Sequence, residues 1–172
     1  MKKIGIIDYG LGNLESVNSA IIKNNADCII TNSPTEISKC DKLILPGVGS
    51  FEKAMTNIKK LKINEIISDA LINQKDILGI CLGMQILLSK SYEFGEHKGL
   101  NIIKGEVKNL KTFDKNIKTP HIGWNNIILE EVKKKNFINY LFEGIDDQEK
   151  FYFVHSYYCI SQDNDALLAS TK

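Results

Sequence analysis

Residues 76–89 read DILGICLGMQILLS. Asp76 to Ile80 is a short apolar run, too brief for a helix and suited to a buried strand. After Cys81 the pattern changes: Leu82, Gln85, Ile86 and Ser89 recur at helical spacing, which predicts a helix through Ser89. Gly79 and Gly83 bracket the cysteine as G-x-C-x-G at the junction. This is the cysteine form of a nucleophile elbow, in which a sharp turn lifts the side chain clear and small neighbours tolerate its backbone angles. A thiol at a helix start meets the positive end of the helix dipole, which favours its ionised, nucleophilic form. The backbone N–H of Leu82 could supply half of an oxyanion hole. The plain alternative is an inert cysteine packed in a turn, since free cysteines are often buried.

Around this elbow the sequence alternates strands and helices. Lys3–Asp8 is apolar on both faces, as a central strand of a parallel sheet is. A glycine loop at Tyr9–Asn13 follows, opening a helix to about Asn24. G-L-G-N lacks the third glycine of a dinucleotide fingerprint and no Walker lysine follows, so a tight turn is the better reading. Asp27–Thr31 is a second strand, and Ser33-Pro34 starts a short helix ending near Lys39. Lys42–Leu45 is a third strand, followed by Pro46-Gly47-Val48-Gly49-Ser50. Helical pattern fills Phe51–Asn73 with a break near Leu61–Lys62. The expected fold is α/β: a doubly wound, mostly parallel sheet flanked by helices, with extra antiparallel strands in the C-terminal half. In such sheets ligands bind beyond the carboxyl ends of the strands. Loops 9–13, 46–51 and 81–83 all fall on that edge.

Beyond Leu100, Gly105–Leu110, Lys118–Leu129 and Phe151–Ile160 read as strands with hairpin-like connections. His155, in the last of them, is the candidate base for Cys81 from the residues alone. His121 lies in similar aromatic surroundings, and His97 is expected on an exposed polar loop.

The 172 residues suffice for one core, and 1–172 is expected to form a single domain. Twenty-two basic against 21 acidic residues leave a net charge of +1, which offers no footprint for nucleic acid or a membrane surface. The Lys133–Lys135 run reads as a solvated face. No secretory leader or spanning stretch is evident, and the scattered Cys28, Cys40, Cys81 and Cys159 form no C-x-x-C pair. A cytoplasmic chain with no metal site and no disulfide framework is expected.

The motifs IDYGLGNLESV at 7–17, LPGVGSF at 45–51, GICLGMQ at 79–85, PHIGWN at 120–125 and FYFVHSYY at 151–158 occur in that order. Together they resemble the class I glutamine amidotransferases, within them the subunit that feeds ammonia to imidazole glycerol phosphate synthesis. The resemblance implies glutamine hydrolysis through a thioester on Cys81, with ammonia passed to a (β/α)8-barrel cyclase in a heterodimer and no cofactor. It implies an oxyanion strand at Gly47, Val48 and Gly49, joined by Leu82. Glutamine would be held by Gln85 and Glu93 and by backbone at Ser156 and Tyr157. Asn13 and Trp124 would face the cyclase.

The family's catalytic His and Glu lie in a C-terminal Q-F-H-P-E-K segment, which this sequence does not contain, and His155 does not match the family's base. The 172-residue chain is therefore expected to be inactive or nearly so. The same fold could serve another acceptor, such as a surface-polysaccharide sugar, or act as a non-catalytic binding module.

Overall fold

The computed structural model describes residues 2–129, 141–145, 149–163 and 166–171; the Lys133–Lys135 run lies outside them. Four parallel strands form the first sheet: β1 (Lys3–Ile7), β2 (Asp27–Thr31), β3 (Lys42–Leu45) and β4 (Asp76–Gly79), in the order β2-β1-β3-β4. The β1 strand is interior, as its two-sided apolar pattern requires, with Ile6 and Ile7 fully buried.

Helices flank this sheet. Helix α1 (Leu14–Lys23) starts at Asn13, whose side chain accepts the Ser16 N–H at 3.3 Å. Glu15 in its first turn and Lys23 in its last complement the helix dipole. The short α2 (Pro34–Ser38) places Pro34 in the first turn, where its missing N–H costs nothing. Helix α3 (Phe51–Lys60) buries Phe51, Ala54, Met55 and Ile58, and α4 (Ile63–Ile72) buries Ile63, Ile66, Ile67 and Ala70. Both follow i, i+3, i+4, i+7, one face of a helix. Lys62, in the left-handed region at φ 55°, separates them.

The helix after Cys81 is shorter than its spacing predicts. Helix α5 spans only Leu82–Ile86, and Ser89 belongs to a strand, β5 (Leu88–Ser91). The backbone carbonyl of Leu87 accepts from Ile102 and Ile103, and that of Leu88 from Asn101, so no intrahelical bonds remain for them to make. Long-range pairing thus overrides helical spacing. Strand β5 pairs antiparallel with β6 (His97–Lys98) and parallel with β7 (Ile103–Asn109). His97 is accordingly half-buried on β6 and not on an exposed loop, with its Nε2 enclosed.

Beyond β7 the pairing is antiparallel, but not in simple hairpins. After a 3-10 turn at Leu110–Thr112, β8 (His121–Asn126) and β9 (Ile128–Leu129) divide the predicted 118–129 strand. Phe151–Ile160 is two strands, β10 (Lys150–His155) and β11 (Tyr157–Ser161), separated at Ser156. They serve different partners: β10 pairs with β8, and β11 with β7. Strand β12 (Ala169–Ser170) pairs with β9. No helix among the described residues is long and apolar enough to cross a membrane.

Candidate active site

Cys81 sits at φ 54°, ψ −116°, between the end of β4 and the first turn of α5, and is exposed. An L-residue there is strained, and the surroundings hold it. The Ile80 N–H donates to the Leu45 carbonyl at 3.0 Å, while the Cys81 carbonyl accepts from Met84 and Gln85 at 3.0 and 3.1 Å. The two flanking glycines are steric requirements. A Cβ on Gly79 would stand 2.7 Å from the Met84 Cα, and one on Gly83 1.7 Å from the Leu45 oxygen. Leu82 is the first helical residue, so its N–H has no intrahelical acceptor.

Opposite the elbow lies the loop after β3. A Cβ on Gly47 would be 2.9 Å from the Gly83 nitrogen and 3.0 Å from the Leu82 Cβ, so this backbone passes directly against the start of α5. Val48 is 54% exposed and Gly49 takes φ 113°. The N–H groups of Gly47, Val48, Gly49 and Ser50 have no acceptor among the described residues. Successive unpaired N–H groups beside a nucleophile can stabilise a developing oxyanion.

Two residues that the motifs did not mark as structural hold this loop. Tyr9 is fully buried and its hydroxyl donates to the Pro46 carbonyl at 2.7 Å. Burial, with the charge of Cys81 added, pushes its phenol well above the ordinary range, so it stays a protonated donor. Gly10 at φ 82° and Gly12 at φ 138° turn the chain immediately after Tyr9. Glu93 meets the loop from the other side: its Oε2 accepts the Phe51 N–H at 2.5 Å, at the start of α3. Ser50, the residue before that helix, makes no side-chain cap, so a carboxylate distant in sequence does so.

Gln85 and Tyr157 come together: the Gln85 amide is 3.5 Å from the Tyr157 carbonyl, a long contact. The same carbonyl accepts from His155 Nδ1 at 2.9 Å. His155 Nε2 is 3.0 Å from His121 Nδ1, and His121 Nε2 is 3.3 Å from the Asn125 amide. One proton order satisfies all four groups: Asn125 donates to His121, His121 to His155, and His155 to Tyr157. Both ring nitrogens of His155 are therefore occupied away from Cys81, and the assignment of His155 as base is not supported by this geometry. Among the described residues nothing hydrogen-bonds the Cys81 thiol. Ser156, between β10 and β11, offers its carbonyl to Leu110 at 3.0 Å. Asn13 caps α1 as described, and Trp124 is 64% exposed, resting on Tyr152 with ring centroids 5.5 Å apart.

Sequence and fold comparisons agree with this architecture. The family model for class-I glutamine amidotransferases matches residues 5–171. The chain belongs to the class-I glutamine amidotransferase family. Its relatives include the imidazole glycerol phosphate synthase subunit HisH of Sulfurimonas denitrificans, 42% identical over 98% of this chain and 79% of that one. The HisH subunits of Lactococcus lactis and Pyrococcus furiosus are 44% and 42% identical, each over 99% of this chain and over 80% and 79% of theirs. Among solved structures, PurLQS from Thermotoga maritima has a TM-score of 0.66 at 16% identity, over 99% of this chain and 74% of that one. A glutamine amidotransferase from the same organism scores 0.56 at 16% identity, over 93% and 63%. These two likenesses concern the fold.

Proposed function

We propose that this chain is the glutamine-hydrolysing subunit of an imidazole glycerol phosphate synthase, acting in the cytoplasm in histidine biosynthesis. In this reading residues 1–172 belong to one amidotransferase domain. The Cys81 sulfur attacks the side-chain amide carbon of glutamine, and the carbonyl oxygen becomes an oxyanion. The C–N bond then breaks, and the nitrogen leaves as ammonia, taking up the proton that the thiol gave up. Water hydrolyses the thioester to glutamate and frees the thiol. The N–H groups of Leu82 and of the Gly47–Gly49 loop receive the oxyanion. Gln85, Glu93 and the backbone at Ser156 and Tyr157 hold the glutamine. A (β/α)8-barrel cyclase, docked over the surface that includes Asn13 and Trp124, consumes the ammonia.

The observation that carries this reading is the exposed, positive-φ Cys81 facing a backbone loop whose N–H groups have no acceptor among the described residues. The name shared by the HisH relatives supports the acceptor and the need for a partner. The test is ammonia release from glutamine by the full-length gene product, with and without the cyclase encoded in the same genome. Turnover that requires the cyclase and disappears in Cys81→Ala supports it. Turnover surviving in Cys81→Ala would overturn the mechanism, and indifference to the cyclase would overturn the partner.

A further inference from the structure

We propose that Tyr9 is a positioning residue for the Gly47–Gly49 loop: its buried hydroxyl fixes the Pro46–Gly47 peptide, and with it the approach of the loop to the elbow, while Glu93 holds the loop's far end. The inference deepens the amidotransferase reading and rests on it.

A fully buried ring at position 9 could be satisfied by phenylalanine, since burying a hydroxyl costs free energy unless it is bonded. Tyr9 is bonded, to the Pro46 oxygen at 2.7 Å. Its own backbone is fixed in turn, because the Asn57 amide of α3 donates to the Tyr9 carbonyl at 3.0 Å. A peptide group is planar and trans, so holding the Pro46 C=O in one direction aims the Gly47 N–H in the opposite one. The preceding carbonyl, Leu45, is held by the Ile80 N–H. There is no slack at Gly47, where a Cβ would lie 2.3 Å from the Tyr9 oxygen. At the other end the Phe51 N–H is committed to Glu93. Between these two posts stand an exposed Val48 and a positive-φ Gly49. The loop is thereby anchored at both ends, with Gly47 held against Leu82 and Gly83 at the start of α5.

The test compares two electrophiles on the full-length gene product. A chloroketone analogue of glutamine alkylates Cys81, the sulfur displacing chloride, and needs its carbonyl polarised by the loop. Iodoacetamide needs only the thiolate. Tyr9→Phe is expected to slow chloroketone labelling by at least about tenfold, a modest fraction of what losing an oxyanion donor costs, with iodoacetamide labelling unchanged within about twofold. Equal chloroketone rates for wild type and Tyr9→Phe would overturn the proposal, as would equal slowing with both reagents, which would mean the elbow itself had been disturbed. Wild-type protein that reacts with iodoacetamide and not with the glutamine analogue, even with the cyclase present, would instead overturn the amidotransferase reading. Should Tyr9→Phe not fold, Asn57→Ala, which loosens Tyr9 without deleting its hydroxyl, is read in the same way. Amide exchange in the wild type gives a variant-free check: Phe51 protected and Val48 and Gly49 fast supports the two posts, and the reverse refutes them.

Discussion

The Cα–H of Gly83 points at the carbonyl oxygen of Leu45, leaving no room for a side chain: a Cβ there would lie 1.7 Å from that oxygen. The same oxygen accepts the Ile80 N–H at 3.0 Å, so the contact joins β3 to the elbow at the one point where neither can retreat. Gly83→Ala is therefore expected to destabilise the fold by about 3 kcal/mol, at the upper end of overpacking costs. Gly123→Ala, where a Cβ would meet nothing within 4 Å, is expected to stay within about 0.5 kcal/mol. Urea denaturation of both variants checks the contrast.

The four cysteines should differ in reactivity. Cys81 is exposed, Cys40 is 2% exposed, and Cys28 and Cys159 are intermediate. Burial pushes the Cys159 thiol up to about 12, with the charge of Cys81 adding to it. At pH 8 only about one Cys159 in ten thousand would be ionised, and the thiolate is the reactive form. Alkylation of the native chain followed by peptide mass analysis should show Cys81 first, Cys28 well behind, and Cys40 and Cys159 last. Early modification of Cys159 would contradict this order.

The same thiol predicts a stability loss at high pH. Its folded pKa lies above the unfolded value of roughly 8.5, so the unfolded chain gives up the proton first. This contribution is complete below about pH 8.5 and is lost as pH rises toward about 12. Tyr9, whose phenol is also raised, acts in the same direction. Denaturation midpoints should therefore fall from pH 9 to 11, and less steeply in Cys159→Ala. An unchanged slope would remove Cys159 from the account.

Trp124 separates binding from folding. It is 64% exposed and its described ring contact is with Tyr152. Trp124→Ala should cost about 1 kcal/mol of stability or less, on the scale of an aromatic pair. Affinity for the proposed cyclase partner should fall by about tenfold or more if the residue anchors the interface. Asn13 needs a subtler change, because Asn13→Ala also removes the cap on α1, worth about 1 kcal/mol. Asn13→Ser keeps a capping oxygen and isolates the interface effect. Calorimetric titration with the cyclase measures both.

Local sequence decided the parallel half of the molecule and the elbow. The apolar runs of β1 to β4, the caps and glycines between them, and the i, i+3, i+4, i+7 faces of α3 and α4 are short-range features. Each element forms for reasons contained within about ten neighbouring residues. The break at Leu61–Lys62 and the need for Gly79 and Gly83 beside Cys81 were legible in the same way. Tertiary structure decided the rest. Leu88 and Ser89 fall within the helix that the spacing predicts and instead open strand β5, because residues 99–107 satisfy its backbone. His155 is the candidate base by residue type and instead joins His121, 34 residues away, in a proton-ordered chain to the Tyr157 carbonyl. Tyr9 and Glu93 reach the loop after β3 across 37 and 42 residues. Periodicity records which face of an element is apolar, and it carries no information about which distant hydroxyl or carboxylate will meet a given peptide group. The sequence by itself determined the cysteine elbow and the sheet that presents it, while the packing of separate segments decided how the backbone around Cys81 is held.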